Sequence, residues 1–351
     1  MSESPLLQPH KESGATLASA SPDHSSSLEE EYAAATADVV VVDRCHVGRL
    51  KVSGRDGLDL LNRLSTNNLE ELTEAGQGMR TVLTTNKGRV IDLLTVVRLD
   101  DYLLVLTGSE NQRKVAESID FYTFSEDVSV DDATDDTVMI GVAGPRAAAL
   151  LAEVAGQELS AQPRYSAAAV RVGDAEALVI RTDFAGLPGY ELVVEAAEAP
   201  RLWTVLEDAG ARPIGVEALD VVRVEQGVPL FGRELTEKVN PLEANLLDSV
   251  SFNKGCYVGQ EVVARLNTYE KVQRRLVGLS WDGVGCPAVG TALSSDGTKV
   301  GEVTSAGYSP RLKKSVGLGY VRKAQAEPGV MLVMGSGEDG GLSARVEALP
   351  F

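Results

Sequence analysis

The 351-residue sequence is short of several residue types, and each shortage removes a class of explanation. Its three cysteines, Cys45, Cys256 and Cys286, form no close pair. That usage suits a reducing cytoplasm rather than a disulfide framework. Of three histidines, His10 and His24 fall in a polar leader, and no CxxC or HxxxH spacing occurs. A self-contained metal site is therefore not expected. No signal peptide and no long apolar run is present, so neither secretion nor a membrane span is expected. Positive charge is also scarce: 33 Lys and Arg stand against 51 Asp and Glu, a net charge of −18. Direct nucleic-acid binding needs a basic footprint that this balance does not supply. Excess acid with few lysines suits work in concentrated salt, where carboxylate repulsion is screened, and predicts stability that rises with molar KCl.

What the chain does contain is a 44% hydrophobic fraction, enough for the cores of two or three domains. Residues 1–37, rich in Ser, Ala and Glu, read as a disordered acidic tail. Order is expected from Val39, where four valines in a row signal a buried strand. Ser53-Gly54-Arg55-Asp56 has the form of a capping box, followed by Leu58, Leu61 and Leu64 on one helical face. Strands are expected at 79–84 and 90–99, joined through Thr85-Asn86-Lys87-Gly88-Arg89, and a third at 102–107. Ser109 to Gln112 again has capping-box form, with Val115, Ile119 and Tyr122 on the face that follows. The acidic stretch 126–136 reads as a boundary. Beyond it the pattern predicts a strand at 138–142, a helix after Pro145, a hairpin at 168–172 and 177–183, a strand at 190–195, and helices at 200–208 and 216–226. From Val272, short apolar runs alternate with Gly, Pro and Asp turns, the pattern of a small all-β barrel or jelly roll. The fold class is thus α+β. A first unit spans 38–135 and is completed by 236–268, a second spans 136–235, and a β-barrel occupies 269–351.

The stretch Asn253-Lys254-Gly255-Cys256-Tyr257-Val258-Gly259-Gln260-Glu261 is the most informative. It sets one thiol between two glycines at a turn entering a helix, with a lysine two residues before it. Such a setting favours a reactive thiolate. A small buried cysteine filling a tight turn is the plain alternative.

This string resembles the signature of the YgfZ family, folate-binding proteins associated with iron–sulfur enzyme maintenance and tRNA modification, which share a fold with the aminomethyltransferase (T protein) of the glycine cleavage system. Asp43-Arg44-Cys45-His46-Val47-Gly48, Asn86-Lys87-Gly88-Arg89-Val90-Ile91-Asp92, Val222-Arg223-Val224-Glu225-Gln226-Gly227 and Asn240-Pro241-Leu242-Glu243-Ala244 resemble further blocks of that superfamily. The resemblance implies three domains around a channel that takes tetrahydrofolate or a one-carbon-substituted form. It implies folate contacts from Arg223, Asn86, Asp92, Tyr257 and Tyr190, with Cys256 and Asp92 as the chemical groups. Lys254, Gly255, Tyr257, Gly259, Gln260 and Glu261 complete the motif. Lys254 would lower the thiol pKa or hold an anionic tail, and Tyr257 would gate the channel or stack on the pterin.

Two departures bear on the chemistry. Leu187 in Gly186-Leu187-Pro188-Gly189 stands where the transferases carry a pterin-binding glutamate. Leu93 follows Asp92 where they carry a second aspartate. The implied function is a cytoplasmic folate-binding accessory factor for iron–sulfur client or assembly proteins. A lone thiol would need such a partner to help hold a cluster. The alternatives are a tetrahydrofolate-dependent one-carbon (aminomethyl) transferase and a non-catalytic folate-sensing scaffold. Arg223 also has a plain reading, an ion pair with Glu217 or Glu225. Asp92 has one as a strand aspartate, and Cys45 and Cys286 have no comparable setting.

Overall fold

The computed structural model describes residues 5–6, 16–17, 22–24, 27–269, 271–283, 285–335 and 341–351. Two layers, antiparallel except where Arg212–Pro213 pairs parallel with Val40–Asp43, and a barrel carry the chain. The first layer has five strands in the order Gly78–Thr84, Val90–Arg98, Leu103–Ser109, Val47–Ser53, Ser129–Asp132. The second has six, ordered Ala167–Val172, Ala175–Thr182, Gly189–Glu195, Thr137–Ala143, Val40–Asp43, Arg212–Pro213. The valine run at 40–43 therefore joins the second sheet, although it opens the chain ahead of the first. All four of its residues are buried because both faces of that strand are covered.

The C-terminal region closes on itself. Six strands form a barrel in which Arg274–Trp281 pairs with both Lys314–Arg322 and Leu342–Glu347. Closure removes the free sheet edges that a jelly roll would keep.

Most of the leader lies outside the described residues, but its last part is not a tail. Leu28–Ala37 is a helix capped by the Ser27 hydroxyl, which accepts from the Glu30 amide at 3.3 Å. Glu31 is fully buried, and its carboxylate accepts from the Gly215 amide at 2.8 Å, at the N-terminus of helix Val216–Glu225. Tyr32 donates to Glu225 at 2.8 Å, and burial pushes its phenol up to about 12. One of the acidic residues that suggested disorder, Glu31, is thus a docking group. The capping boxes also fail as such. Asp56 and Asn111 occupy the cap positions and neither makes a capping bond, since Asn111 turns its amide inward to Asp92. The acidic stretch at 126–136 contains the edge strand Ser129–Asp132, which pairs with Val47–Ser53.

Residues 236–268 return to the first sheet. The Val90 amide donates to the Val239 carbonyl at 3.0 Å, and Thr66 Oγ1 to the Ser249 carbonyl at 2.6 Å. This return brings the cysteine motif onto the hairpin around Gly88.

Candidate functional site

The thiol loop is held by backbone, from both sides. The Val258 amide donates to the Arg63 carbonyl at 2.9 Å, and Thr84 Oγ1 donates to the Val258 carbonyl at 2.6 Å. Gly259 has φ +85°, and a Cβ there would lie 2.5 Å from the Thr85 carbonyl oxygen and 2.9 Å from the Gly88 Cα. Only glycine meets both demands. Gly259 opens the helix Gln260–Thr268, whose Val263 is buried against Leu242 and Val250.

Lys254 is spent on this docking. Its ammonium donates to the carbonyls of Asn62 (2.6 Å), Ser65 (2.9 Å) and Asn67 (2.5 Å), at and just beyond the C-terminal end of helix Gly57–Leu64. A cation is favoured there, where carbonyls lack intrahelical partners. Burial lowers the lysine to about 8. Tyr257 is buried beneath the same ammonium, which sits 5.4 Å from its ring centroid, and burial pushes its phenol up to about 12. The lysine therefore serves backbone carbonyls, and the tyrosine anchors the loop from inside.

The result is an exposed Cys256 on a fixed loop. Gln260 Nε2 reaches the Gly255 carbonyl at 3.4 Å and fixes the turn. Glu261 is 86% exposed in the first helical turn, 3.8 Å from Arg265. Asn86 is exposed at the tip of the hairpin, while Gly88 below it packs against Val262 and Val263. Cys286 is also exposed and Cys45 is half-buried, so exposure alone does not single out Cys256. Its clamped loop does.

A second set of polar groups lies inside the molecule. Asp92 is fully buried, with Oδ2 accepting from the Gly108 amide (2.8 Å) and Asn111 Nδ2 (2.9 Å), and Oδ1 from the Leu93 amide (2.7 Å). Burial raises its carboxyl to about 6, against the pull of these three donors. Such a carboxylate can take a proton near neutrality. Next to Asn111, Gln112 Oε1 is buried and finds no donor among the described residues. It is an acceptor that a donor-bearing heterocycle would satisfy, and one that sequence reasoning missed.

On the facing sheet Arg44 pairs with Glu191 at 3.1 Å and lies 5.2 Å from the Phe184 ring centroid. Arg44 Nη1 is 3.4 Å from His46 Nε2. Burial, reinforced by Arg44, lowers His46 to about 3, so its imidazole is neutral. Glu191 and Arg44 were not predicted. They sit on different elements, and nothing in the spacing ties residues 147 positions apart.

Two predicted contacts, Arg223 and Tyr190, take other roles. Arg223 is buried, and its guanidinium donates to Asp220 (2.6 Å), Glu234 (3.0 Å), the Val228 carbonyl (3.2 Å) and Ser305 Oγ (2.6 Å). Glu234 also accepts from Ser305 Oγ at 2.7 Å and from the Leu230 amide at 3.0 Å. This cluster ties helix Val216–Glu225 to the barrel, and its ion pairs are with Asp220 and Glu234, not with Glu217 or Glu225. Tyr190 packs in the hydrophobic core of the second sheet with Leu150 and Trp203. Leu187 is buried with Tyr32, Phe184 and Val222, so an apolar contact fills the position where the family resemblance implies a glutamate in the transferases. The structure thus joins Asp92 to Asn111, with Gln112 next in the chain, and separately gathers Lys254, Cys256 and Tyr257. It does not bring Arg223 or Tyr190 to either group.

Among the described residues, no group of three or more His, Cys, Asp and Glu could hold a metal ion. Nor is any helix among them long and apolar enough to cross a membrane.

Comparison with known proteins now bears on this arrangement. The GCVT N-terminal domain family matches residues 12–254, and the glycine cleavage T-protein C-terminal barrel domain matches residues 274–351. An aminomethyltransferase of Halothermothrix orenii is 31% identical over 361 aligned positions, covering 100% of both chains. One of a Thermotoga species is 33% identical, covering 92% of this chain and 90% of its own. A putative chloroplastic transferase of Arabidopsis thaliana is 34% identical over 89% of this chain and 71% of its own. The solved aminomethyltransferase T of the Bartonella henselae glycine cleavage system superposes with a TM-score of 0.89 at 23% identity, over 99% of this chain and 96% of that one, and shares its fold. With both domain families matched in order and full-length relatives above 30% identity, the chain belongs to the aminomethyltransferase (glycine cleavage T-protein) family, whose members use tetrahydrofolate.

Proposed function

We propose that this protein binds a reduced folate and acts, through Cys256, as an accessory factor for iron–sulfur proteins. One observation carries the reading. The carboxylate expected for pterin recognition is replaced by the buried Leu187, while a thiol is displayed on a loop pinned by Lys254 and the Gly88–Gly259 contact. The interior fits a folate in part. Asn111 beside Asp92 and Gln112 after it offer a short amide wall, with the buried Gln112 Oε1 lacking a donor among the described residues. Arg223 has its guanidinium committed to four acceptors, so an acidic tail would need another cation. Asp92, raised to about 6, holds or releases a proton at that wall. The thiol faces solvent, where a macromolecular partner reaches it and supplies the further ligands a cluster needs. The test measures a four-iron enzyme in cells lacking this protein, complemented with wild type or Cys256→Ala. Activity restored by wild type alone supports the reading, and equal activity in all three strains refutes it.

A second reading, one-carbon transfer from an aminomethyl donor, is favoured by the full-length relatives named aminomethyltransferase and by the retained Asp92. Tetrahydrofolate-dependent release of methylenetetrahydrofolate, abolished by Asp92→Asn and indifferent to Cys256→Ala, would establish it over the first.

A further inference from the structure

The barrel rim beside the helix that follows the thiol loop gathers several of the chain's scarce cations. Strands Arg274–Trp281 and Lys314–Arg322 pair with Arg274 directly opposite Arg322. Like charges in that relation repel. Arg274 is relieved by Glu243 at 3.3 Å and by the Tyr320 ring, whose centroid is 5.0 Å away. Arg322 is exposed and makes no ion pair among the described residues. It lines two adjoining cavities. One, of about 320 Å³, is walled by Arg274, Lys299, Glu302, Tyr320 and Arg322. The other, of about 720 Å³, is walled by Lys271, Gln273, Arg322 and Lys323. The acid on these walls, Glu302, is held by Lys299 at 3.3 Å.

We propose that this groove binds a chain of several carboxylates, presented as an Asp/Glu-rich segment of a partner protein. The Arg322 fork, with the Lys271 and Lys323 ammonium groups beside it, suits carboxylates at close spacing, while Arg274 and Lys299 are already held by Glu243 and Glu302. A repelling Arg–Arg pair kept in a protein of net charge −18 is a cost that an anionic ligand removes. A nucleic acid carries charge along its whole length and would meet the acidic surface beyond the groove, whereas an acidic segment can end where the groove ends. The Lys271 amide donates to the Leu266 carbonyl at 3.0 Å, so the groove begins where helix Gln260–Thr268 stops. At 1.5 Å per residue that helix spans about 14 Å, so the segment would lie about one helix length from the Cys256 loop. The groove stands whatever chemistry the thiol performs.

The experiment is fluorescence anisotropy of a labelled hexaglutamate peptide titrated with the full chain, at low and at moderate salt. Saturable binding is expected, weakening as salt rises. Arg322→Glu and the double change Lys271→Glu/Lys323→Glu should each weaken it about tenfold or more. Lys313→Glu/Lys314→Glu, at the other end of the same barrel region, and Cys256→Ala should leave it unchanged. Arg322→Glu should also raise the thermal midpoint, because it places an acid opposite Arg274, so lost binding could not be put down to unfolding. Absent binding, equal loss in the Lys313/Lys314 variant, or tighter binding of tripolyphosphate or oligothymidylate than of the peptide would each overturn the proposal.

Discussion

The thiol loop and the Arg223 cluster both carry sequence motifs, both hold a cation, and use it in opposite ways. Around Arg223 every partner is matched: the acids Asp220 and Glu234 and the Ser305 hydroxyl close on the guanidinium, and Glu234 is itself fully buried. Nothing there can meet a ligand without leaving a buried charge unpaired. Around Cys256, Lys254 satisfies three carbonyls and leaves the thiol outside. One motif fastens domains together, and the other fastens a loop so that a single side chain can stay free.

Breaking the interior side should cost most. Arg223→Ala strands Glu234 and should lose about 3–5 kcal/mol, read as a fall in the urea midpoint. A loss below about 1 kcal/mol would mean that water or another cation takes the place of the guanidinium and that the cluster is not the fastening described. Asp92 comes next. Its carboxyl titrates near 6 in the native state, above the ordinary 3.8. The native state therefore holds the proton that the unfolded chain has already released between those values, so Asp92's contribution to stability is greatest below the lower one and falls as pH rises through the higher. The difference between wild type and Asp92→Asn should drift by about 3 kcal/mol over that window. A flat difference would show a carboxylate of ordinary acidity.

These interior roles show what the sequence could and could not reveal. Short runs of valine, leucine and isoleucine between turn residues announced most strands of both sheets, because buried strands leave apolar stretches in the chain. Helix Leu28–Ala37 left no such trace. It docks through Glu31 and Tyr32, which find their partners at Gly215 and Glu225, so a composition typical of disorder hid an ordered element. Arg223 was visible as a cation near the end of a helix, but its partners Glu234 and Ser305 come from other segments, and only the fold brings them within reach. The cysteine motif was legible because its glycines and lysine act locally, on turns and carbonyls.

On the loop side the expected effects are smaller. Gly259→Ala forces a Cβ against the Thr85 carbonyl at positive φ and should cost about 2 kcal/mol. It should also speed alkylation of Cys256 or nicking of residues 251–259 by protease, whereas an unchanged rate would show that the glycine contact does not hold the loop. Lys254→Met removes a partner from three carbonyls and should cost about 1–2 kcal/mol in thermal unfolding. Smallest of all, Cys256→Ala should shift stability by less than about 0.5 kcal/mol. Thiol titration of that variant should lose one fast-reacting group and retain the exposed Cys286. A large destabilisation by Cys256→Ala would erase the contrast, since the thiol would then be packing after all.

The return of residues 236–268 to the first sheet has a consequence for synthesis. Thr84 and Val258, joined by a hydrogen bond, are 174 residues apart in the chain. At roughly 5–20 residues per second, the hairpin around Gly88 leaves the ribosome on the order of ten to thirty seconds before the segment that covers it. For most of that interval, once Ser129–Asp132 has been made, the first sheet is fully translated yet unfinished, with the Val90 amide and the Thr66 hydroxyl still waiting for Val239 and Ser249. The thiol loop and the helix Gln260–Thr268 that follows it are the last pieces needed to close the domain over the Gly88 hairpin.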